Sequence, residues 1–209
     1  MSTATLPGIE PEFAQYLVVN PIRFSPAISL TQDQFFDLCQ QNRDWRLERT
    51  AQGELILMPP AGGESSSQNL SIAAQLYAWY RRVGVGRAFD SSGGFILPNG
   101  VNRSPDASWI SPEQLATITP EQLKKFLPVC PYFAVEFVPP RDSLTKTCEK
   151  MDEYIANGTR LGWLIIPEKK QVHVYRPGQP VQIHDDPRTL AGDPEMPGFV
   201  LDLDPVWRP

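Results

Sequence analysis

At 209 residues the chain can bury a full hydrophobic core, and one domain is the natural expectation. Its 41% hydrophobic and 21% charged residues suit a soluble globular protein and exclude a low-complexity or disordered one. The formal net charge of −5 argues against a protein that coats nucleic acid by bulk attraction, but not against a nuclease, whose carboxylate site is acidic until a cation arrives.

Residues 1–28 carry prolines and no sustained period, which predicts an N-terminal arm ahead of a single domain at 29–209. The first residues have neither a basic start nor an apolar core, so no signal peptide is expected. Thr31-Gln32-Asp33-Gln34 is a capping-box pattern, and Phe35, Phe36, Leu38 and Cys39 follow on a short helix. Trp45-Arg46-Leu47-Glu48-Arg49 alternates, as a half-buried strand should, and Glu54 to Met58 returns as its partner after the Gln52-Gly53 turn. From Glu64 to about Val83 two apolar sets interleave at helical spacing, Leu70/Ala73/Ala74/Tyr77 and Ile72/Leu76/Trp79/Val83. Together they predict a helix whose broad apolar face packs on a sheet.

Gly86 to Pro98 reads as a hairpin about Ser91-Ser92-Gly93-Gly94, and Asn99-Gly100 turns the chain again. Pro105 forces Ser104 into an extended conformation, and Asp106 to Ile110 continues as a strand with Asp106, Ser108 and Ile110 on one face. Ser111-Pro112 and Thr119-Pro120 each resemble a helix start, so 111–128 reads as a helical excursion. Tyr132 to Val138 is apolar except for Glu136 and is stopped by Pro139-Pro140, the pattern of a strand buried on both faces. A helix over 143–157 with Ser143 as N-cap, a buried strand at Leu161–Ile166 and an alternating strand at Gln171–Tyr175 follow. Val181-Gln182-Ile183 and Phe199-Val200-Leu201 add C-terminal strands. The strand–helix–strand crossover over 132–166 predicts parallel pairing, and the whole predicts an α/β domain with a mixed central sheet flanked by helices.

Glu136 is the residue that does not fit its surroundings. A lone buried carboxylate is expensive unless a cation or a metal compensates it. Asp106 opens another short strand, and a lysine-bearing helix follows Glu136. Phosphodiester hydrolysis needs a divalent cation to stabilise phosphoryl charge and activate water, and Mg²⁺ (or Mn²⁺) takes oxygen ligands. Asp106 and Glu136 are therefore the candidate metal ligands, with the Phe137 carbonyl as a third oxygen. Glu48 and Glu64 are supporting candidates, although Glu48 is expected to pair with an arginine and Glu64 to sit at a helix N-terminus. The histidines, His173 and His184, lie in no cluster, so zinc is not expected; Cys39, Cys130 and Cys148 are scattered and read as reduced thiols.

Gly-Glu-Leu-Ile-Leu-Met-Pro-Pro (53–60), Ser-Pro-Asp-Ala-Ser-Trp (104–109), Ala-Val-Glu (134–136), Glu-Lys-Met-Asp-Glu-Tyr (149–154) and Leu-Gly-Trp-Leu-Ile (161–165) together resemble the Uma-two family of restriction endonucleases, within the PD-(D/E)XK nuclease superfamily. The resemblance runs from about residue 30 to the C-terminus, including Pro197-Gly198-Phe199-Val200-Leu201. It implies a restriction-endonuclease-like core with acidic ligands at Asp106 and Glu136, a DNA substrate and a homodimer. The superfamily's lysine two residues after the glutamate is replaced by Val138, and Lys150 on the next helix is the natural substitute. At about 100° per residue, Lys150 falls at the border of the stripe marked by Leu144, Met151 and Ile155, whereas Lys146 lies farther onto the polar side.

The resulting expectation is a cytoplasmic, Mg²⁺-dependent DNA endonuclease with an Asp106–Glu136–Lys150 site and no membrane span. A second expectation stands beside it. Val138 and the Pro139-Pro140-Arg141 segment, where relatives often carry Ser-Pro-Ser, also suit a nuclease-fold protein that no longer cuts and serves as a nucleic-acid-binding or oligomeric assembly module.

Overall fold

The computed structural model describes residues 22–24, 29–139 and 143–209. Of the expected N-terminal arm, only β1 (Ile22–Phe24) falls among them, and Pro140 and Arg141 lie outside. Thr31 caps α1 (Gln32–Gln41) with a complete capping box, and Phe35 anchors that helix in the interior. The chain then forms the hairpin of β2 (Arg46–Arg49) and β3 (Leu55–Met58), followed by α2 (Gly63–Val83). After β4 (Arg87–Asp90), β5 (Phe95–Ile96), β6 (Asn102–Arg103) and β7 (Ala107–Ile110) comes the short α3 (Pro112–Ala116) with its own capping box. The buried run becomes β8 (Phe133–Phe137), and α4 (Leu144–Ala156) starts at the Ser143 cap. The remainder is β9 (Leu161–Ile166), β10 (Gln171–Tyr175), β11 (Gln182–Asp185), β12 (Thr189–Ala191), β13 (Val200–Asp202) and α5 (Asp204–Trp207).

A six-stranded mixed sheet, ordered β11-β10-β9-β8-β7-β4, carries the core. The crossover through α4 makes β8 and β9 parallel, and the other pairs in this sheet are antiparallel. Alternation along β8 divides its side chains between two apolar clusters. Phe133, Val135 and Phe137 face α2 and the C-terminal segment, and Ala134 and Val138 face α4. Trp163 and Phe199 stack at 5.4 Å in the first cluster; Met151 and Tyr154 of α4 fill the second.

Beside it lies an antiparallel sheet ordered β1-β3-β2-β6-β5. This second sheet overturns the expected hairpin over 86–98. β4 pairs with β7 and β5 with β6, so Ser91 to Gly94 carries the chain from one sheet to the other. The apolar alternation that suggested a hairpin is real, since Phe89 packs edge-to-face on Phe95 at 5.5 Å, but the contact joins two layers instead of two paired strands. In β2 the expected pattern is inverted: Glu48 and Arg49 are buried while Leu47 is only half-buried. The reason is electrostatic, because cations await Glu48 inside. On α2 the buried face is narrower than its composition suggested. Ile72, Leu76 and Trp79 are core, whereas Leu70 and Tyr77 are exposed. Residues 111–128 hold only α3 and one 3-10 turn, Gln122–Lys124. No helix among the described residues is long and apolar enough to cross a membrane.

Gly86 and Gly100 both take a left-handed conformation, with opposite surroundings. Gly86 has φ +68°, and a Cβ there would lie 2.3 Å from the Ile110 carbonyl oxygen and 2.6 Å from the Trp109 ring; Gly100 has φ +86° in open space. Alanine at Gly100 should cost about 1–2 kcal/mol for backbone strain alone. Gly86→Ala should cost clearly more, roughly 3 kcal/mol or above, because steric overlap with backbone is added. Urea unfolding of the two variants checks the order, and equal losses would contradict this account of Gly86.

Candidate active site

The two sheets meet where β2 and β6 approach the ends of β7 and β8. The register that sets Ala107 opposite Val135 brings Asp106, one residue earlier, alongside Glu136. Asp106 donates its own N–H to the Val135 carbonyl at 3.0 Å and accepts the Phe137 N–H on Oδ2 at 2.9 Å. Its carboxylate thus straps the end of β8 instead of bonding its own backbone. Within an extended strand, the N–H and C=O of one residue point to the same side, which is how paired residues exchange both bonds. The Phe137 carbonyl therefore leaves β8 on the Asp106 side.

Glu136 lies on the face of β8 covered by α4. One helical turn separates Lys150 from Tyr154, so both reach it. Lys150 Nζ sits 2.8 Å from Glu136 Oε1, and the Tyr154 hydroxyl donates to the same oxygen at 2.9 Å. The ammonium has a second partner, Glu48 Oε1, at 2.9 Å. Glu48 also accepts from Arg103 Nη1 at 3.0 Å and from the Ser104 N–H at 3.0 Å, while Arg103 reaches Glu153 at 2.7 Å. At the rim, Arg46 Nη1 and Asn69 Nδ2 each stand 3.4 Å from Asp106 Oδ1, and Arg46 Nη2 donates to the Ser104 carbonyl. Arg46 Nε and Asn69 Oδ1 are buried without a hydrogen-bond partner among the described residues.

The cluster contains four carboxylates and three cations, and burial decides where the protons go. Burial pushes the Glu136 carboxyl up to about 7; Lys150 opposes this, while the negative charges of Asp106 and Glu48 reinforce it. Burial acts on Glu48 in the same direction but loses there: Lys150, Arg103, Arg46 and the Ser104 N–H hold it down to about 2. Burial would strip the Lys150 proton, yet Glu136 and Glu48 outweigh it and raise its pKa. The Tyr154 hydroxyl is pushed well up, by burial first and then by Glu136 and Glu48. Lys150 and Glu48 are thus a charged pair, and Glu136 is the member of the cluster able to take or release a proton near neutrality.

The structure brings Asp106, Glu136, Lys150 and Glu48 into one contact network and sets the Phe137 backbone against Asp106. Glu64 stands apart: it is exposed in the first turn of α2 and has no hydrogen bond or ion pair to the cluster among the described residues. Arg103, Tyr154 and Asn69 were not anticipated. The four-residue spacing from Lys150 could have identified Tyr154. Arg103 and Asn69 depend on the meeting of two sheets and a helix, which leaves no local signal. The candidate donors for a cation are all oxygens, with neither His nor Cys among them. No three His, Cys, Asp or Glu side chains among the described residues are grouped to hold a metal, but Mg²⁺ is commonly bound by one or two carboxylates plus water and substrate. Asp106 and Glu136, brought alongside each other by the β7–β8 register, are the two acids that would meet that requirement.

A mixed sheet flanked by helices is the architecture expected of a restriction-endonuclease-like protein. The chain belongs to the Uma2 (Uma-two) family, whose model, described as "Putative restriction endonuclease", matches residues 32–204. A crystal structure from Anabaena variabilis, titled as a putative nuclease belonging to DUF820, is similar in fold. The two share 22% identity with a TM-score of 0.70, over 86% of this chain and 98% of that one. No curated protein sequence matches the chain.

The network makes two separable predictions. Glu48→Gln leaves Lys150 and Arg103 short of a buried counter-charge and should cost roughly 3–5 kcal/mol in chemical unfolding; a loss near zero would remove Glu48 as the centre of the charges. Glu136 acts through pH. Its carboxyl is near 4.5 when unfolded and about 7 when folded, so its contribution to stability is full below 4.5 and is lost as pH rises to 7. Relative to Glu136→Gln, the wild type should lose melting temperature across that window, and parallel curves for the two proteins would show that Glu136 carries no raised pKa.

Proposed function

We propose that this protein is a Mg²⁺-dependent DNA endonuclease whose reacting groups are Asp106, Glu136 and Lys150. The observation that carries the reading is the shared ammonium. Lys150 lies 2.8 Å from a Glu136 carboxyl that sits beside Asp106, although the lysine comes from a helix and not from the strand. Membership of the Uma2 family supports nuclease chemistry.

Asp106 and Glu136 would hold the cation, with the Phe137 carbonyl on the same side as a further oxygen. When bound, a divalent ion there would supply charge stabilisation at the phosphoryl oxygens and a more acidic water. The chain's own residues perform the rest. The Phe137 N–H and Asn69 fix the Asp106 carboxylate, and Tyr154 fixes Glu136. Burial first, and then the charges of Asp106 and Glu48, push the Glu136 carboxyl up to about 7, and a cation held beside it would favour the ionised form. Lys150 remains charged through Glu48 and can place its positive charge toward the negative charge that develops on phosphorus-bound oxygens. Arg46, partly exposed at the rim, is positioned to meet the DNA backbone. The reading includes a homodimer, supported by the exposed apolar Val181 and Ile183 at the β11 edge of the sheet.

Plasmid DNA incubated with the protein and Mg²⁺ or Mn²⁺ should be nicked or linearised. Glu136→Ala and Lys150→Ala should each slow the reaction at least about 100-fold. Intact plasmid, with wild type and Glu136→Ala indistinguishable, would overturn the nuclease reading and favour the assembly-module alternative.

A further inference from the structure

We infer that Asn69 is a neutral oxygen ligand of the cation site, contributing Oδ1 next to the Asp106 carboxylate that its amide nitrogen touches. The inference rests on the proposed metal-dependent function and adds to it a residue that neither the sequence pattern nor the acidic pair suggests.

Three observations carry it. Asn69 Nδ2 donates to Asp106 Oδ1 at 3.4 Å, which fixes the amide: its nitrogen faces the carboxylate, and its oxygen is the free end. That oxygen is buried and has no donor among the described residues. A buried amide oxygen without a partner costs about 1–3 kcal/mol, so such an atom calls for an explanation. Lastly, the local chemistry selects the missing partner. Most neighbouring donors are spoken for: Arg46 Nη1 and Nη2 are directed at Asp106 and Ser104, Lys150 at Glu48 and Glu136, and Tyr154 at Glu136; Arg46 Nε is buried without a partner but makes no hydrogen bond to Asn69 Oδ1. A hard divalent cation takes carboxylate and amide oxygens alike. With four carboxylates against three cations, a neutral third ligand lets the site accept a dication without adding another buried negative charge. The position on α2 is suited to this task, because an interior helical residue holds its side chain more rigidly than a loop would.

The competing role for Asn69 is that of a donor that only orients Asp106, and the experiment separates the two. Mn²⁺ binding is measured by calorimetry on the full chain for the wild type, Asn69→Ala, Asp106→Asn and Glu136→Gln. Tb³⁺ luminescence decay in H₂O and D₂O then counts the waters on the bound ion. A ligand role predicts that Asn69→Ala weakens Mn²⁺ about tenfold or more and adds a water to the bound Tb³⁺. Unchanged affinity overturns the inference, as does weaker binding with an unchanged water count, which would assign Asn69 to positioning Asp106. In both of those cases the nuclease reading survives if Asp106→Asn and Glu136→Gln still abolish binding. If the wild type takes no Mn²⁺, or the two acid variants bind it as well as the wild type does, the proposed metal site and the role of Asn69 fall together. Melting curves establish that each variant is folded, and Asn69→Ser replaces Asn69→Ala if the latter is not.

Discussion

The site depends on one ammonium shared by two buried carboxylates. Lys150 Nζ lies within 2.9 Å of both Glu48 and Glu136, which belong to different sheets. Without the lysine, two acids would face each other in a region of low dielectric, and neither could ionise cheaply. With it, the negative charge settles on Glu48, which has Arg103 as a second counter-ion, and Glu136 is left as the weaker acid. The same contact fastens α4 to β2, so the helix that crosses from β8 to β9 is also tied to the neighbouring layer. A charge arrangement and a tertiary connection are here a single interaction.

This asymmetry gives each acid a distinct part. Glu48, fully paired and strongly acidic, serves as a fixed counter-charge that keeps Lys150 protonated. Glu136, its carboxyl pushed up to about 7 by burial, can take or release a proton near neutrality. Asp106 is at the mouth of the cluster, where its Oδ2 is used to hold the end of β8 and its Oδ1 faces Arg46 and Asn69. Three carboxylates of similar chemistry thus differ because their neighbours differ, a division of labour that composition alone does not determine.

Those contrasts explain what the sequence discloses and what it conceals. Glu136 is legible because β8 is otherwise apolar and a single acid in a buried strand needs a partner. Lys150 is legible because helical phase puts it at the edge of the stripe that packs on the sheet, and the resemblance supplies the demand for a lysine. Arg103 is not, since it sits in a two-residue strand whose pairing with β5 and β2 follows from long-range assembly. The hairpin expected over 86–98 failed for the same reason: local alternation identifies faces, not partners. Leu70 and Tyr77 show the complementary failure, in which helical periodicity is right but the supporting surface covers only one of two apolar stripes. In β2 the rule that charges point outward failed at Glu48, where the interior already held two cations, so the exception itself marked the site.

That a helix residue and not a strand residue meets Glu136 has a physical rationale in the packing around Val138. Val138 lies two residues after Glu136, and so on the same face of β8, packed among Met151, Leu164 and Ile166. A lysine there would place its stem and charge in an apolar cluster, where the counter-ions already bind other cations. Lys150 approaches the same carboxylate from the opposing layer, its stem running along α4 and its charge emerging where two sheets contribute acids. The valine completes the core and the helix supplies the charge, so the two requirements that one strand lysine would have to meet are divided between two residues on facing elements.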